Sequence, residues 1–92
     1  MFYNPDEIRA ITEIVHDFSR KSAGPLAVAM QDALTRVHDD EFSLGTLFTF
    51  RCALVFFASD VVDNDASLKH SVDTALSKTT AALKTEKAIA LN

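Results

Sequence analysis

Residues 44–62, LGTLFTFRCALVFFASDVV, form a long apolar run with a single arginine, Arg51, in its middle. In a helix that turns by about 100° per residue, most of the larger apolar side chains of this run fall in one half circle, and Arg51 falls near its centre. An isolated charge is costly to bury, so Arg51 needs a carboxylate, helix-end carbonyls or an exit to water along its stem. The run therefore predicts a helix over about 43–62. Two roles stay open for Arg51: an intramolecular pair or snorkelling, or contact with an anion or partner protein.

The same run does not fit a membrane-spanning helix. Such a helix needs about 20 consecutive, mainly apolar residues, whereas Arg51 and Asp60 have only eight residues between them. The N-terminal segment MFYNPDEIR also lacks the basic start and apolar centre of a secretory signal. We therefore expect a cytoplasmic protein that is at most peripheral at the inner face of the membrane.

Capping signals predict three further helices. The segment NPDE at residues 4–7 supplies an N-cap residue, a Pro at the first helical position and a Glu three residues after the cap, which predicts a helix over about 5–22. Gly24 and Pro25 end this helix and begin another over about 25–38. The segment DND at residues 63–65 caps a fourth helix, over about 65–85, and a C-terminal tail of about 86–92 follows.

The predicted elements specify a fold class. Four amphipathic helices with short connections favour neighbours that pack antiparallel. We therefore predict an all-α protein with one domain over residues 1–92, arranged as an antiparallel up-and-down four-helix bundle. The helix over 43–62 has the widest apolar arc and is expected to be the central one.

Charge and cysteine content exclude several classes of function. The formal net charge is −4. Basic residues outnumber acidic ones only in residues 66–92, which contain four Lys and two acidic residues, Asp73 and Glu86. Binding to nucleic-acid phosphates needs clustered Lys and Arg, so no nucleic-acid partner is expected. Cys52 is the single cysteine, which excludes an intramolecular disulfide and a cysteine-based metal cage.

Catalytic and metal-binding patterns are incomplete. Glu13 and His16 have the spacing of one half of a di-iron carboxylate site, but such a site needs a second pair and two further Glu. His70 falls on the polar side of its helix, and the loop run HDDE at residues 38–41 lacks the ligand spacing of a calcium loop. No serine stands in a nucleophile elbow. We expect no enzymatic activity, no cofactor and no metal.

Phe56 is a second residue that breaks the apolar pattern. It falls about 120° from Leu44 around the predicted helix, among polar neighbours. Either a neighbouring helix covers it, or it is an exposed aromatic anchor of an oligomer or partner interface.

The order and lengths of the helices resemble those of the pediocin-like (class IIa) bacteriocin immunity proteins. The segments that carry this resemblance are PLAVAMQDALTRVHDDE at 25–41, SLGTLFTFRCALVFFASDVV at 43–62 and DNDASLKHSVDTAL at 63–76. The resemblance implies a cytosolic, non-enzymatic, antiparallel four-helix bundle that protects a producing bacterium. Such proteins act at the inner side of the sugar phosphotransferase receptor that the bacteriocin targets.

Specificity in that family would come from the C-terminal half. The resemblance therefore directs attention to the basic side chains of the fourth helix and its tail, although these also fit a solubilising face. The predicted partner-binding residues are Arg51, Phe56, Lys69, Lys78, Lys84 and Lys87. The alternative function is a small helical adaptor or inhibitor, for instance phage-encoded or stress-related, that binds a host protein through acidic loops or a dimer face. A homodimer stays open as a further assembly.

Overall fold

The structure is a computed structural model that describes residues 2–38 and 43–91, with side chains up to Thr85. All regular structure in these residues is helical, and the predicted all-α class is confirmed. The elements are α1 Pro5–Lys21, α2 Pro25–His38, α3 Leu44–Phe56, α4 Ser59–Asn64, a single 3-10 turn Ala66–Leu68, and α5 Lys69–Leu91. None of the described helices is both long and apolar enough to cross a bilayer.

The first helix begins with a capping box. The side-chain oxygen of Asn4 accepts a hydrogen bond from the Glu7 amide at 2.8 Å, and Glu7 Oε1 accepts one from the Asn4 amide at 2.8 Å. These bonds satisfy amide groups that have no partner inside the helix. The helix ends at Lys21, close to the predicted residue 22.

Gly24 lies at the junction between α1 and α2. Its φ of +154° is one that residues with a Cβ rarely adopt. Its carbonyl accepts the first hydrogen bond of α2, from the Val28 amide at 3.1 Å. Ser22 is the C-cap of α1, so Gly24 serves the start of α2 and not the left-handed cap of α1 that the sequence suggests.

The prediction of a single helix over 43–62 is wrong, because the structure has two helices there, α3 and α4. Phe57 leaves the helical region at φ −122° and ψ 4°, and its amide still bonds to the Ala53 carbonyl at 3.0 Å. The chain then turns, and α4 contacts α1. At the turn, the Phe57 and Phe18 rings lie 4.5 Å apart. No Gly or Pro marks this break in the sequence, so the apolar period alone does not reveal it.

The fourth predicted helix also starts and ends differently. Asp65 accepts a hydrogen bond from the Ser67 amide at 3.2 Å and thereby caps the 3-10 turn that precedes α5. The backbone of α5 is helical as far as Leu91, so most of the predicted tail continues the helix.

The core lies between α1, α2, α3 and α5. Helix α1 contacts each of the other four, and α3 contacts α1, α2 and α5, the last most extensively. Because α3 buries only part of its apolar surface, the central position of the third helix stays a prediction. The largest fully buried apolar side chains come from the N-terminal arm and from α1, α2 and α3: Tyr3, Ile11, Ile14, Val15, Met30 and Phe50.

Candidate functional site

The apolar surface of α3 is divided between the core and solvent. Leu47, Phe50 and Leu54 are buried against the other helices. A second row lies at the edge of the same apolar arc and stays open, with exposed fractions of 44%, 58% and 43% for Leu44, Phe48 and Val55. Helix faces that meet a core are commonly about 100° wide or slightly more, and the arc of α3 is wide enough for two such contacts.

Arg51 lies in the open row. It follows Leu44 by seven residues and precedes Val55 by four, which is the spacing of one helix face. Its side chain is exposed, and it forms no ion pair within the described part of the chain. Of the roles left open for Arg51, an ion pair with a described side chain is absent, because the core takes the other flank of the apolar arc. Contact with an anion or a partner protein stays a prediction.

The open row of α3 forms one wall of a groove with α5. The groove has a volume of about 290 Å³, and its lining residues are Leu44, Phe48, Arg51, Thr80, Leu83 and Lys84. We refer to these six residues as the α3–α5 groove. Its walls are mainly apolar and carry two cationic side chains, so it can bind a largely apolar molecule that also presents anionic groups.

The two cations of the groove differ from most others in the molecule. Arg9, Arg20, Lys21, Arg36 and Lys78 each contact a carboxylate. Among the residues with described side chains, Arg51 and Lys84 form no such contact, and neither does exposed Lys69 at the start of α5. The groove therefore contains two positive charges that the described residues leave uncompensated.

Lys78, another predicted partner-binding residue, is engaged within the fold. Its Nζ lies 2.6 Å from Glu7 Oε1 and donates a hydrogen bond to the Phe2 carbonyl at 2.9 Å. The Glu7 side chain is only 1% exposed. Burial would raise the pKa of Glu7, but the hydrogen bonds from Lys78 and the Asn4 amide outweigh burial and hold this pKa below its usual value. Lys78 therefore serves to neutralise a buried carboxylate.

A buried tyrosine adjoins this ion pair. Tyr3 is fully buried, and its hydroxyl lies 2.5 Å from the Thr79 hydroxyl, which also donates to the Ala75 carbonyl at 2.6 Å. Burial raises the pKa of Tyr3 to about 12, the Thr79 hydrogen bond lowers it slightly, and the nearby Glu7 charge adds to the rise. These contacts attach the N-terminal arm to α5. Sequence analysis missed them, since Tyr3 and Thr79 are 76 residues apart.

Phe56 is exposed, and no helix covers it within the described part of the chain. Its exposed fraction is 67%, and its ring lies 6.4 Å from the ring of Phe57. It borders a second depression of about 220 Å³, where Lys21 is paired with Asp17 and Asp60. Phe56 lies outside the α3–α5 groove, and its role as an interface anchor stays a prediction. The side chain of Lys87 lies outside the described residues.

The candidate acid-base and metal residues are dispersed. Glu13, His16, His38 and His70 are exposed, and Cys52 is half-buried. Among the side chains that the structure describes, no three His, Cys, Asp or Glu residues lie close enough together to hold a metal ion.

Comparison with known proteins gives no family for this chain: no family model matches it, and no significantly similar curated protein or solved structure is found. The shape and charge of the α3–α5 groove are therefore the basis for a functional proposal. The sequence signal for this groove was the large width of the apolar arc of α3, with Arg51 near its centre.

Proposed function

We propose that this chain is a non-enzymatic bacteriocin immunity protein that acts by binding another protein. In this role it works in the cytoplasm, at the inner face of the membrane. It protects the producing cell by binding the receptor complex of the sugar phosphotransferase system that the bacteriocin targets. The proposal extends the resemblance of about residues 5–85 to the class IIa immunity proteins.

The observation that carries the binding role is the α3–α5 groove. Leu44, Phe48 and Val55 are exposed to solvent in one row on α3, although burial of apolar side chains is favourable. A contiguous apolar row of this kind on the surface of a small protein marks a binding site. A row of apolar side chains with charged residues beside it is typical of surfaces that meet a partner. Arg51 fits this role well, since arginine is enriched where partners bind.

The proposal includes an arrangement of the helices. The four longer helices α1, α2, α3 and α5 would form the antiparallel bundle, and the short α4 would connect α3 to α5 across α1. Two features support this arrangement: α1 contacts all the other helices, and residues 22–24 form a short connection between α1 and α2. In such a bundle the groove is a surface between two neighbouring helices, where ligand and partner sites are often built.

Expression in bacteriocin-sensitive cells tests the proposal. Cells that produce the chain are challenged with a panel of class IIa bacteriocins, and growth inhibition is compared with that of cells carrying an empty vector. We expect protection against at least one bacteriocin, without protection against an unrelated pore-forming peptide. Failure to protect against every class IIa bacteriocin, with the protein present at normal levels, would contradict the immunity role.

A small helical adaptor or inhibitor that binds a host protein is the second candidate. It is favoured by apolar side chains that are exposed away from the groove, namely Leu26, Val28 and Phe56. Such residues fit a homodimer face or a second binding surface. Genomic context separates the two candidates, because an immunity gene is expected beside a gene for a small bacteriocin with a double-glycine leader.

A further inference from the structure

We infer that the occupant of the α3–α5 groove is an acidic amphipathic helix of another protein. The inference deepens the proposed function and rests on it only in taking the groove as the binding surface. It adds the conformation and the charge of the segment that binds.

The shape of the groove suits a helix. Its α3 wall runs from Leu44 to Arg51, which is about 10 Å at 1.5 Å per residue, and exposed Val55 continues the same row by one further turn. Leu83 contributes apolar surface from α5 on the other side. Binding of an amphipathic helix in a groove between two helices uses anchors spaced by three or four residues, and such anchors match a row of this length.

The charges of the groove select an acidic helix. Arg51 and Lys84 both line the groove, and neither has an ion-pair partner among the described side chains. Carboxylates placed beside the apolar stripe of an incoming helix would meet both cations. Contacts of this kind are charge-assisted and depend on matched geometry, so they contribute to specificity as well as to affinity.

A second copy of this chain fits the groove poorly. Two-fold pairing of the groove with itself would bring the Arg51 and Lys84 side chains of both copies towards one another, and like charges repel. Elsewhere on the described surface, the exposed apolar residues Leu26 and Val28 are two positions apart on one helix and so lie on different faces. Phe56 is isolated from both. These residues do not form an acidic apolar stripe that could fill the groove of a neighbour.

Titration with three labelled peptides tests the charge of the occupant. Each helical peptide has about 16 residues, the same leucine stripe and either Glu, Gln or Lys at the flanking positions. The whole chain is added to each peptide at low salt, and binding is followed by fluorescence anisotropy. We expect the Glu peptide to bind. The Gln peptide should bind about tenfold more weakly because charge-assisted contacts are lost, and the Lys peptide should not bind.

Charge-reversal variants assign the binding to the groove. Arg51→Glu should weaken binding of the Glu peptide by about tenfold or more and admit the Lys peptide. Arg20→Glu is the matched control, since it changes the net charge equally at an exposed arginine outside the groove. This control should leave all three affinities unchanged. An equal loss in both variants would show that only the net charge matters and would overturn the inference.

Other outcomes separate the charge of the occupant from the groove itself. Equal affinity for the Glu and Gln peptides, abolished by Phe48→Ser, would overturn the acidic helix and keep the groove as a binding surface. Absence of binding to any peptide would overturn the inference whether or not the chain protects cells from a bacteriocin.

Two further measurements test other occupants of the groove. A dimer in sedimentation equilibrium that Phe48→Ser dissociates would assign the groove to a second copy. Cosedimentation with phosphatidylglycerol vesicles that Phe48→Ser abolishes would assign it to a lipid surface. Either result would overturn the inference, and a monomer that does not bind the vesicles would support it.

Discussion

Arg51 and Lys78 show how the surroundings of a basic side chain decide its role. Lys78 neutralises the buried Glu7 carboxylate, whereas Arg51 is exposed and has no carboxylate partner among the described residues. A paired charge of the first kind stabilises the fold, because its removal leaves a buried carboxylate alone. An exposed and uncompensated charge of the second kind is available to a binding partner.

Truncation of Lys78 tests the structural role of this ion pair. Lys78→Ala should lower the free energy of unfolding by about 2 kcal/mol, less than for a fully buried pair because the Lys78 side chain is 35% exposed. The loss should shrink at acidic pH, where protonation of Glu7 removes the uncompensated charge. Lys84→Ala, at an exposed lysine without an ion pair, is the control and should change stability by less than about 0.5 kcal/mol. Equal effects of the two variants in urea unfolding would contradict this role for Lys78.

Titration of Tyr3 tests the burial of the N-terminal arm. The chain has one tyrosine and no tryptophan, so near-ultraviolet absorbance reports this phenol alone. The native protein should ionise with a pKa of about 12, against 10.0 for an ordinary tyrosine. Because the pKa of Tyr3 is higher in the folded than in the unfolded chain, the protonated phenol contributes to the stability of the fold. This contribution is complete below pH 10 and is lost as the pH rises through the pKa of the folded state. A native midpoint near that of the urea-unfolded chain would show that the ring is solvated.

At the scale of elements, α3 has one flank for the core and another for the groove. Its sequence predicts a helix with a wide apolar arc but does not specify which part of the arc is buried. That choice depends on where α1, α2 and α5 lie, and these contacts join residues far apart in the chain. The break at Phe57 is hidden for a related reason. The contact between the Phe57 and Phe18 rings and the pairing of Asp60 with Lys21 occur across elements and leave no local signal.

Two phenylalanines of α3 provide a matched test of its two flanks. Phe50 is fully buried, whereas Phe48, two residues earlier, is 58% exposed. Phe50→Ala should therefore lower the free energy of unfolding by about 3 to 5 kcal/mol, and Phe48→Ala should lower it by less than about 1 kcal/mol. Chemical denaturation of both variants gives the comparison. Similar losses would mean that both flanks of α3 face the core.

At the scale of the whole molecule, the amino-acid sequence predicts the helical class and most helix starts, because caps and apolar periods are local. NPDE at residues 4–7 and Gly24-Pro25 mark starts that the structure also has. Of the predicted binding residues, Arg51 and Lys84 both line the groove, whereas Lys78 forms an ion pair with Glu7 inside the fold. Local sequence could not separate these lysines, since Glu7 and Lys78 are 71 residues apart.

The central claim is that the protein protects cells by binding through the α3–α5 groove. Growth of bacteriocin-sensitive cells that express wild type, Phe48→Ser or Val28→Ser tests it most directly, since both side chains are exposed and only Phe48 lines the groove. We predict that wild type and Val28→Ser protect the cells from the same class IIa bacteriocin, and that Phe48→Ser, present at an equal level, does not. Full protection by Phe48→Ser would contradict the claim.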